Sequence, residues 1–226
     1  MPRVKFCGLT SLEDAQAAVD LGADLLGFNF YPKSPRYISP EGCAAIIAGL
    51  EGQLNRPNGR VITVGIFVNH LPDEVITTLK ACRLDLAQLS GDEPPEDLRK
   101  IGSSAFKVVR LGKDTKLDET IHPYLLRQLP PAFLIDASVP GTFGGTGQSA
   151  DWDQARLAAE YFPILLAGGL HHGNIARAVQ QVQPWGVDVA SGIESALGKK
   201  DYHKMAEFIQ AVRRVEKSEL TAPARE

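Results

Sequence analysis

The chain has 226 residues, of which 44% are hydrophobic and 23% charged, a composition that excludes a disordered or fibrous protein and leaves room for one large core. Its 24 basic and 27 acidic residues give a formal charge of −3, so no global electrostatic footprint for nucleic acid or an anionic membrane is present, and the expected partner is a small molecule. Cys7, Cys43 and Cys82 form neither a C-x-x-C pair nor an even disulfide set, and no leader or membrane-length apolar run is visible, which together predict a soluble protein of the reducing cytoplasm.

Taken in chain order, apolar β-rich runs recur at Val4–Cys7, Leu25–Phe30, Val61–Phe67, Asp85–Leu89, Phe106–Val109, Phe133–Asp136, Ile164–Ala167 and Val187–Ala190. Stretches able to form helices separate most of them, and that alternation implies right-handed βαβ units around a parallel sheet. Eight strands with interposed helices predict an α/β protein made of a single (β/α)₈ barrel over residues 1–216, followed by a polar tail over 217–226. An open doubly wound sheet would use fewer strands and a G-x-G-x-x-G turn after the first, where this chain has Cys7-Gly8-Leu9-Thr10.

Helix starts have local causes. Thr10 with Glu13 reads as a capping box ahead of Leu12, Ala15 and Val19, which are expected to share one buried face. Ser39-Pro40 reads as N-cap followed by N1. Asn174 precedes Ile175, Ala178, Val179 and Val182, and Asp201 precedes Met205, Phe208, Ile209 and Val212, both at i, i+3, i+4, i+7 spacing. The stretch from Glu51 to Arg60, rich in Gly, Asn and Pro, is expected to be an exposed connector.

Strand alternation then places the chemistry. If Val4 and Phe6 pack outward, Arg3, Lys5 and Cys7 point into the barrel, with Cys7 uppermost. The same alternation turns Leu134 inward and sets Asp136 above it, on the C-terminal rim where barrel active sites are built. A thiol and a carboxylate facing one cavity can divide proton transfer, which suits an aldose-to-ketose rearrangement. A free thiol has a pKa of about 8.5, so Cys7 needs help to act as a base, and Lys5 one layer below is the candidate. The alternatives are a space-filling thiol at Cys7 and a loop-capping carboxylate at Asp136. Asp188, inward between Val187 and Val189, is a further candidate for binding the substrate, ranked below Asp136 because it also reads as a satisfied core group.

Gly168-Gly169 and Ser191-Gly192 follow the last two strands, where barrels often bind phosphate through backbone N–H groups. Two tight turns needing positive φ would account for either site alone. The run Gly141 to Gly147 is no P-loop, since alignment to Ser149 puts Thr142 and Gln148 where a glycine and the lysine belong. It reads as a lid beside Asp136 or as a plain surface loop. Arg36, in Pro32-Lys33-Ser34-Pro35-Arg36-Tyr37, is placed to meet a substrate carboxylate, unless it is merely solvated. The five histidines are dispersed, and no metal or cofactor is expected.

With these residues in place, the chain resembles the phosphoribosylanthranilate isomerase family along nearly its whole length. The resemblance rests on Lys5-Phe6-Cys7-Gly8-Leu9-Thr10, on Gly27-Phe28-Asn29-Phe30 leading to Ser34-Pro35-Arg36, and on Gln88-Leu89 with Gly91-Asp92-Glu93. It continues through Gly144-Gly145-Thr146-Gly147 with Asp151-Trp152, Leu166-Ala167-Gly168-Gly169-Leu170, and Ser191-Gly192-Ile193-Glu194 with Lys200-Asp201. It implies a cofactor-free Amadori rearrangement of a phosphoribosylated anthranilate in tryptophan biosynthesis, in a monomer or homodimer. By carry-over Asp136 is the general acid and Cys7 the base, Arg36 holds the anthranilate carboxylate, and Gly168, Gly169, Ser191 and Gly192 hold the phosphate. Ser90 stands where the family often has His, and Ala150 where it often has an aromatic, which puts any binding role of Ser90 in doubt. Competing expectations are another phosphate-binding barrel, such as an epimerase or an indole-forming synthase, and a silent metabolite sensor. The first two want metal ligands or a lysine–glutamate pair that this chain does not display at its strand ends.

Overall fold

The computed structural model describes residues 1–57, 59–111, 116–127, 129–137 and 152–220. Eight parallel strands close into a barrel in sequence order: β1 (Arg3–Phe6), β2 (Leu25–Asn29), β3 (Ile62–Phe67), β4 (Leu86–Leu89), β5 (Ala105–Leu111), β6 (Phe133–Ala137), β7 (Ile164–Leu166) and β8 (Gly186–Val189). Helices α1 (Leu12–Leu21), α2 (Pro40–Gly49), α3 (Pro72–Cys82), α4 (Pro95–Ile101), α5 (Leu117–Ile121), α6 (Trp152–Tyr161) and α7 (Ile175–Val182) lie between successive strands, and α8 (Tyr202–Leu220) follows the last. β1 pairs with β2 on one side and β8 on the other, with Lys5 opposite Leu25 and Asp188 respectively.

Each strand is buried on both faces because helices cover the outside, so its sequence reads as a nearly continuous apolar run. The two faces hold separate cores. Val4, Phe6, Phe133, Ile135, Val187 and Val189 belong to the outer layer against the helices. Leu25, Val64, Leu86, Phe106, Val108, Leu134, Leu165 and Ala167 fill the barrel. The inside–outside assignment expected for the first and sixth strands therefore holds.

Two expected helix details are corrected. The N-cap of α1 is Ser11, whose hydroxyl accepts from the Asp14 N–H at 3.1 Å, rather than Thr10. The Thr10 hydroxyl instead donates to the carbonyl of Gly198 at 2.9 Å. The buried face of α1 is Ala15, Ala18 and Val19, while Leu12 is 44% exposed, because the one-residue shift in the cap puts Leu12 at the first helical position. Ser39 caps α2 as expected, accepting from the Gly42 N–H at 3.1 Å. Ile175, Ala178, Val179 and Val182 are buried on α7, as are Met205, Phe208, Ile209 and Val212 on α8. Asp201 caps α8 by accepting from the His203 and Lys204 N–H groups at 2.9 and 3.1 Å. That helix runs to Leu220, past the expected start of the tail at residue 217.

A feature not expected from the sequence follows β8. A short 3₁₀ turn at Ser191–Ile193 leads into a small hairpin, β9 (Glu194–Ala196) and β10 (Lys199–Lys200), at the C-terminal rim. Among the described residues no helix is long and apolar enough to cross a membrane.

Phe208 anchors α8 to the barrel, fully buried and edge-on to Phe6 with ring centroids 6.3 Å apart. Phe208→Ala is expected to cost about 3–5 kcal/mol through lost burial and the cavity left behind. Urea unfolding of the variant and the parent protein checks this.

Candidate active site

Polar groups enter the barrel interior in its upper layers. Lys5 is fully buried and donates to Asp188 Oδ1 at 2.8 Å, across the seam where β1 meets β8. Room for the ammonium comes from Gly27 on β2, where an added Cβ would lie 3.1 Å from Lys5 Nζ and 3.1 Å from the Cys7 Cα. Cys7 follows β1 directly, held by its N–H to the Val189 carbonyl at 2.9 Å, and its half-buried thiol also meets the Lys5 ammonium.

The charges around the thiol compete. Burial pushes the Cys7 thiol above its ordinary value, and the Asp188 carboxylate pushes the same way. Lys5 and Lys200 oppose them. Burial alone would lower Lys5, but Asp188 and the thiol outweigh it, so Lys5 is held protonated more firmly than a free lysine. The expected helper thus touches Cys7, but Asp188 absorbs much of its effect.

Arg36 packs over the loop after β1. An added Cβ on Gly8 would lie 2.4 Å from the Arg36 Cδ, so glycine at this position, with φ of +72°, lets the guanidinium stem cross beside Cys7. The Ser34 hydroxyl aims the loop by accepting from the Arg36 N–H at 3.1 Å and from the Asn29 amide at 3.2 Å. The guanidinium is not merely solvated. Its Nε and one terminal nitrogen donate to the two oxygens of Glu194 at 2.7 and 2.8 Å, and these bonds raise its pKa further. Lys200 Nζ shares the same carboxylate at 2.8 Å and also donates to the Ala190 carbonyl at 3.1 Å.

Further round the barrel, three strands from β1, Asp136 lies half-buried near the end of β6, two residues beyond the interior Leu134 and in register with Arg110 on β5. Arg110 continues the interior face of Phe106 and Val108, and it donates to the Ser90 carbonyl at 2.8 Å. Gln88, 5% exposed, donates through Nε2 to the Ser90 hydroxyl at 3.2 Å, while its Oε1 meets no partner among the described residues. The loop after β4 is braced from outside by Glu93, which accepts from the Asn69 N–H at 2.8 Å and from Lys107 at 2.5 Å.

The two glycine sites adjoin. Gly168 and Gly169 adopt φ of +97° and +63°, so positive φ alone explains why glycine occupies both. Asn174 ties their turn together, donating to the Gly169 carbonyl at 2.9 Å and accepting from the His171 N–H at 2.9 Å. Its side chain therefore closes the turn instead of capping α7. An added Cβ on Gly192 would lie 2.0 Å from the Leu170 carbonyl oxygen, so the turn Ser191–Ile193 presses directly on the loop after β7. The expected lid over Gly141 to Gly147 lies outside the described residues, as do Ala150 and Asp151.

A cleft of about 380 Å³ opens at the other end of the barrel, among Arg3, Asp24, Arg56 and Arg213. Arg56 donates there to the carbonyls of Ala23 and Val19, and Arg213 to that of Gly22 at 3.2 Å. These arginines serve the C-terminal end of α1, where cations are favoured, and stand far from the thiol. Among the described residues no three His, Cys, Asp or Glu side chains converge as a metal site requires.

The family model for N-(5'-phosphoribosyl)anthranilate isomerase matches residues 4–211. The chain belongs to the phosphoribosylanthranilate isomerase family. It is 46% identical over 210 residues to the N-(5'-phosphoribosyl)anthranilate isomerase of Geobacter sulfurreducens, covering 93% of this chain and 98% of that one. The crystal structure of phosphoribosyl anthranilate isomerase from Thermotoga maritima matches with a TM-score of 0.82 at 36% identity, over 95% of this chain and 100% of that one. A family structure in complex with reduced 1-(o-carboxyphenylamino)-1-deoxyribulose 5-phosphate matches with a TM-score of 0.78 at 34% identity, over 95% and 100% of the two chains.

Cys7, Arg36, Asp188, Gly168, Gly169, Ser191 and Gly192 thus lie on or directly after the four neighbouring strands β7, β8, β1 and β2 of a phosphoribosylanthranilate isomerase barrel, with Asp136 on β6, the strand that pairs with β7. Sequence reasoning assigned no role to Glu194, Lys200, Arg110 or Gln88. Alternation would have found Arg110, two residues beyond the interior Val108. Gly192→Ala is expected to cost about 1–3 kcal/mol, because the methyl collides with backbone that cannot move independently. A lowered midpoint in thermal unfolding checks this, and an unchanged one would mean the two loops are not locked.

Proposed function

We propose that this site converts N-(5-phosphoribosyl)anthranilate into 1-(2-carboxyphenylamino)-1-deoxyribulose 5-phosphate, the isomerisation step of tryptophan biosynthesis, by acid–base catalysis. The observation that carries the reading is the company of Cys7, whose thiol sits between a buried ammonium and an anchored guanidinium on the rim of a family barrel.

In this scheme Asp136, protonated, donates to the ribose ring oxygen as the C1′–O bond breaks, and the anilino nitrogen lone pair forms a C1′=N double bond. The cationic imine acidifies the C2′ proton. Cys7 takes that proton as thiolate, the C–H electrons form a C1′=C2′ bond, and the nitrogen regains its lone pair. The resulting enolamine then tautomerises to the 2′-ketone. Every bond broken is matched by one formed or by a proton transferred, so the reaction has no redox balance for a cofactor to supply.

Arg36 holds the anthranilate carboxylate with the donors that Glu194 leaves open, and the backbone around Gly168, Gly169, Ser191 and Gly192 holds the phosphate. Asp188 acts from below by fixing Lys5 under the thiol. The imine explains how a thiol held largely neutral in the free site still serves as base, since the proton it removes becomes acidic only after ring opening.

Cys7→Ser and Asp136→Asn are each expected to lower kcat by on the order of 10² to 10⁴ with much smaller changes in binding. Arg36→Ala should chiefly raise KM. The measurement is the loss of anthranilate-type fluorescence after generating the unstable substrate in situ, and full turnover by either catalytic variant defeats the scheme. Because the scheme needs Asp136 protonated and Cys7 ionised at once, the two requirements offset each other in the parent protein, so the thiol is read in Asp136→Asn: its residual kcat/KM should climb from neutral to alkaline pH as Cys7 ionises, whereas a flat profile in that variant would contradict a thiol base.

A further inference from the structure

Two charged groups at the rim have no part in the scheme above, yet both are buried. Glu194 is 8% exposed and Lys200 5% exposed, on the two strands of the hairpin that follows β8. A buried charge must have a reason, since removing it from water is costly unless it is paired. Glu194 accepts from both nitrogens of Arg36 and from Lys200, and its own carbonyl accepts from Lys204 Nζ at 2.7 Å. The Lys200 N–H donates to Asp14 Oδ2 on α1 at 3.3 Å, which fixes the hairpin from the other side.

The charges do not cancel. Around the thiol, Lys5, Arg36 and Lys200 bring three positive charges, and Asp188 and Glu194 bring two negative ones. Asp14 and Lys204, which flank the hairpin from α1 and α8, offset each other. Across the rim Arg110 and Asp136 stand in register on β5 and β6. One positive charge therefore remains uncompensated beside Cys7 when its sulfur is protonated, and none when it is a thiolate.

We propose that Lys200 and Glu194 form a positioning pair for catalysis, in which Glu194 sets the Arg36 guanidinium beside Cys7 and Lys200 supplies the excess positive charge that the thiolate balances. This rests on the reading of Cys7 as the base and adds what makes that base available. Burial lowers the Lys200 pKa, and Glu194 and the thiol oppose that shift, as a cation serving both would require. Burial pushes Glu194 upward, but Arg36 and Lys200 bring it below the ordinary carboxylate value, so it stays ionised at neutral pH.

The test uses the full chain with Lys200→Met, Glu194→Gln and Lys200→Arg. Two readouts are followed against pH: alkylation of Cys7 by iodoacetamide, located by peptide mass, and kcat/KM. Cys43 and Cys82, at 0% and 1% exposure, serve as shielded internal controls. Lys200→Met should leave about tenfold less thiolate at a given pH and move the alkylation midpoint upward, as expected for loss of a nearby charge in a partly buried site. Glu194→Gln should move the midpoint downward and raise KM by on the order of tenfold, because Arg36 loses its bidentate partner. Lys200→Arg should restore the midpoint. Opposite shifts cannot come from general loosening of the hairpin, which would move both variants the same way.

Midpoints that stay put in folded variants, or that move together, overturn the proposal. If Lys200→Met does not fold, Glu194→Gln decides alone, and an unmoved or raised midpoint there refutes it. Midpoints that shift as expected while the kcat/KM profiles do not follow would support the positioning pair and remove Cys7 as the base.

Discussion

Closure of the barrel by β1 against β8 is the constraint on which the site depends. That pairing sets Lys5 opposite Asp188, residues 183 positions apart, and lets them form an ion pair inside a space otherwise packed with Leu, Val and Phe. Such a pair is poor evidence for stability, since desolvating two charges costs about as much as their attraction returns. It is strong evidence for register. A slip of one residue in β1 would turn Lys5 out among the helices and leave Asp188 buried without its partner, a loss of about 3–5 kcal/mol. The seam therefore closes in the alignment that places Cys7 above the ammonium and carries Ser191 and Gly192 over the last two strands.

The strands were legible in the sequence because each is buried on both faces, which removes the polar interruptions that blur a half-exposed strand. Alternation is legible too, and it sets Cys7 and Asp136 on the interior side of their strands. The missing parts concern long-range pairing and loop geometry. Nothing local in the segment around Arg36 signals a carboxylate 158 residues away, and a hairpin as short as Glu194–Ala196 with Lys199–Lys200 has too few residues to show a period. At α1 the neighbours Thr10 and Ser11 can both cap, and the choice falls to Ser11 because the Thr10 hydroxyl is claimed by Gly198 from the far end of the chain. Asn174 was placed correctly at a helix start, but its side chain works backward on the glycine turn, a role that spacing alone cannot distinguish from capping.

Glycine does different work at each point of the rim. Gly27 and Gly8 remove side chains where Lys5 and Arg36 must pass, whereas Gly168 and Gly169 permit a backbone conformation that other residues resist. Gly192 lets two loops touch. The thiol-bearing wall and the two adjoining glycine turns are thus brought together by absent side chains as much as by present ones, and the turns lie at the seam, next to the strand that carries Asp188.

The Arg36–Glu194 pair bears on how an anionic aromatic ring could be held beside a base that must itself become anionic. A solvated arginine would have to give up rotamer freedom on meeting a carboxylate, but one already fixed by a bidentate bond has lost it in the folded protein. Fixing it with a carboxylate alone would neutralise the guanidinium and make the site indifferent to a second anion. Lys200 resolves that conflict, because it shares the same Glu194 oxygen at 2.8 Å and restores a net positive field without loosening the clamp. In the proposed scheme one residual charge then has two claimants, the substrate carboxylate and the Cys7 thiolate. Binding of the first raises the cost of forming the second, so ionisation of the thiol is favoured most once ring opening has put a positive charge on the substrate nitrogen. In that scheme the same electrostatics that keep the free thiol protonated delay its activation until the intermediate that needs it exists.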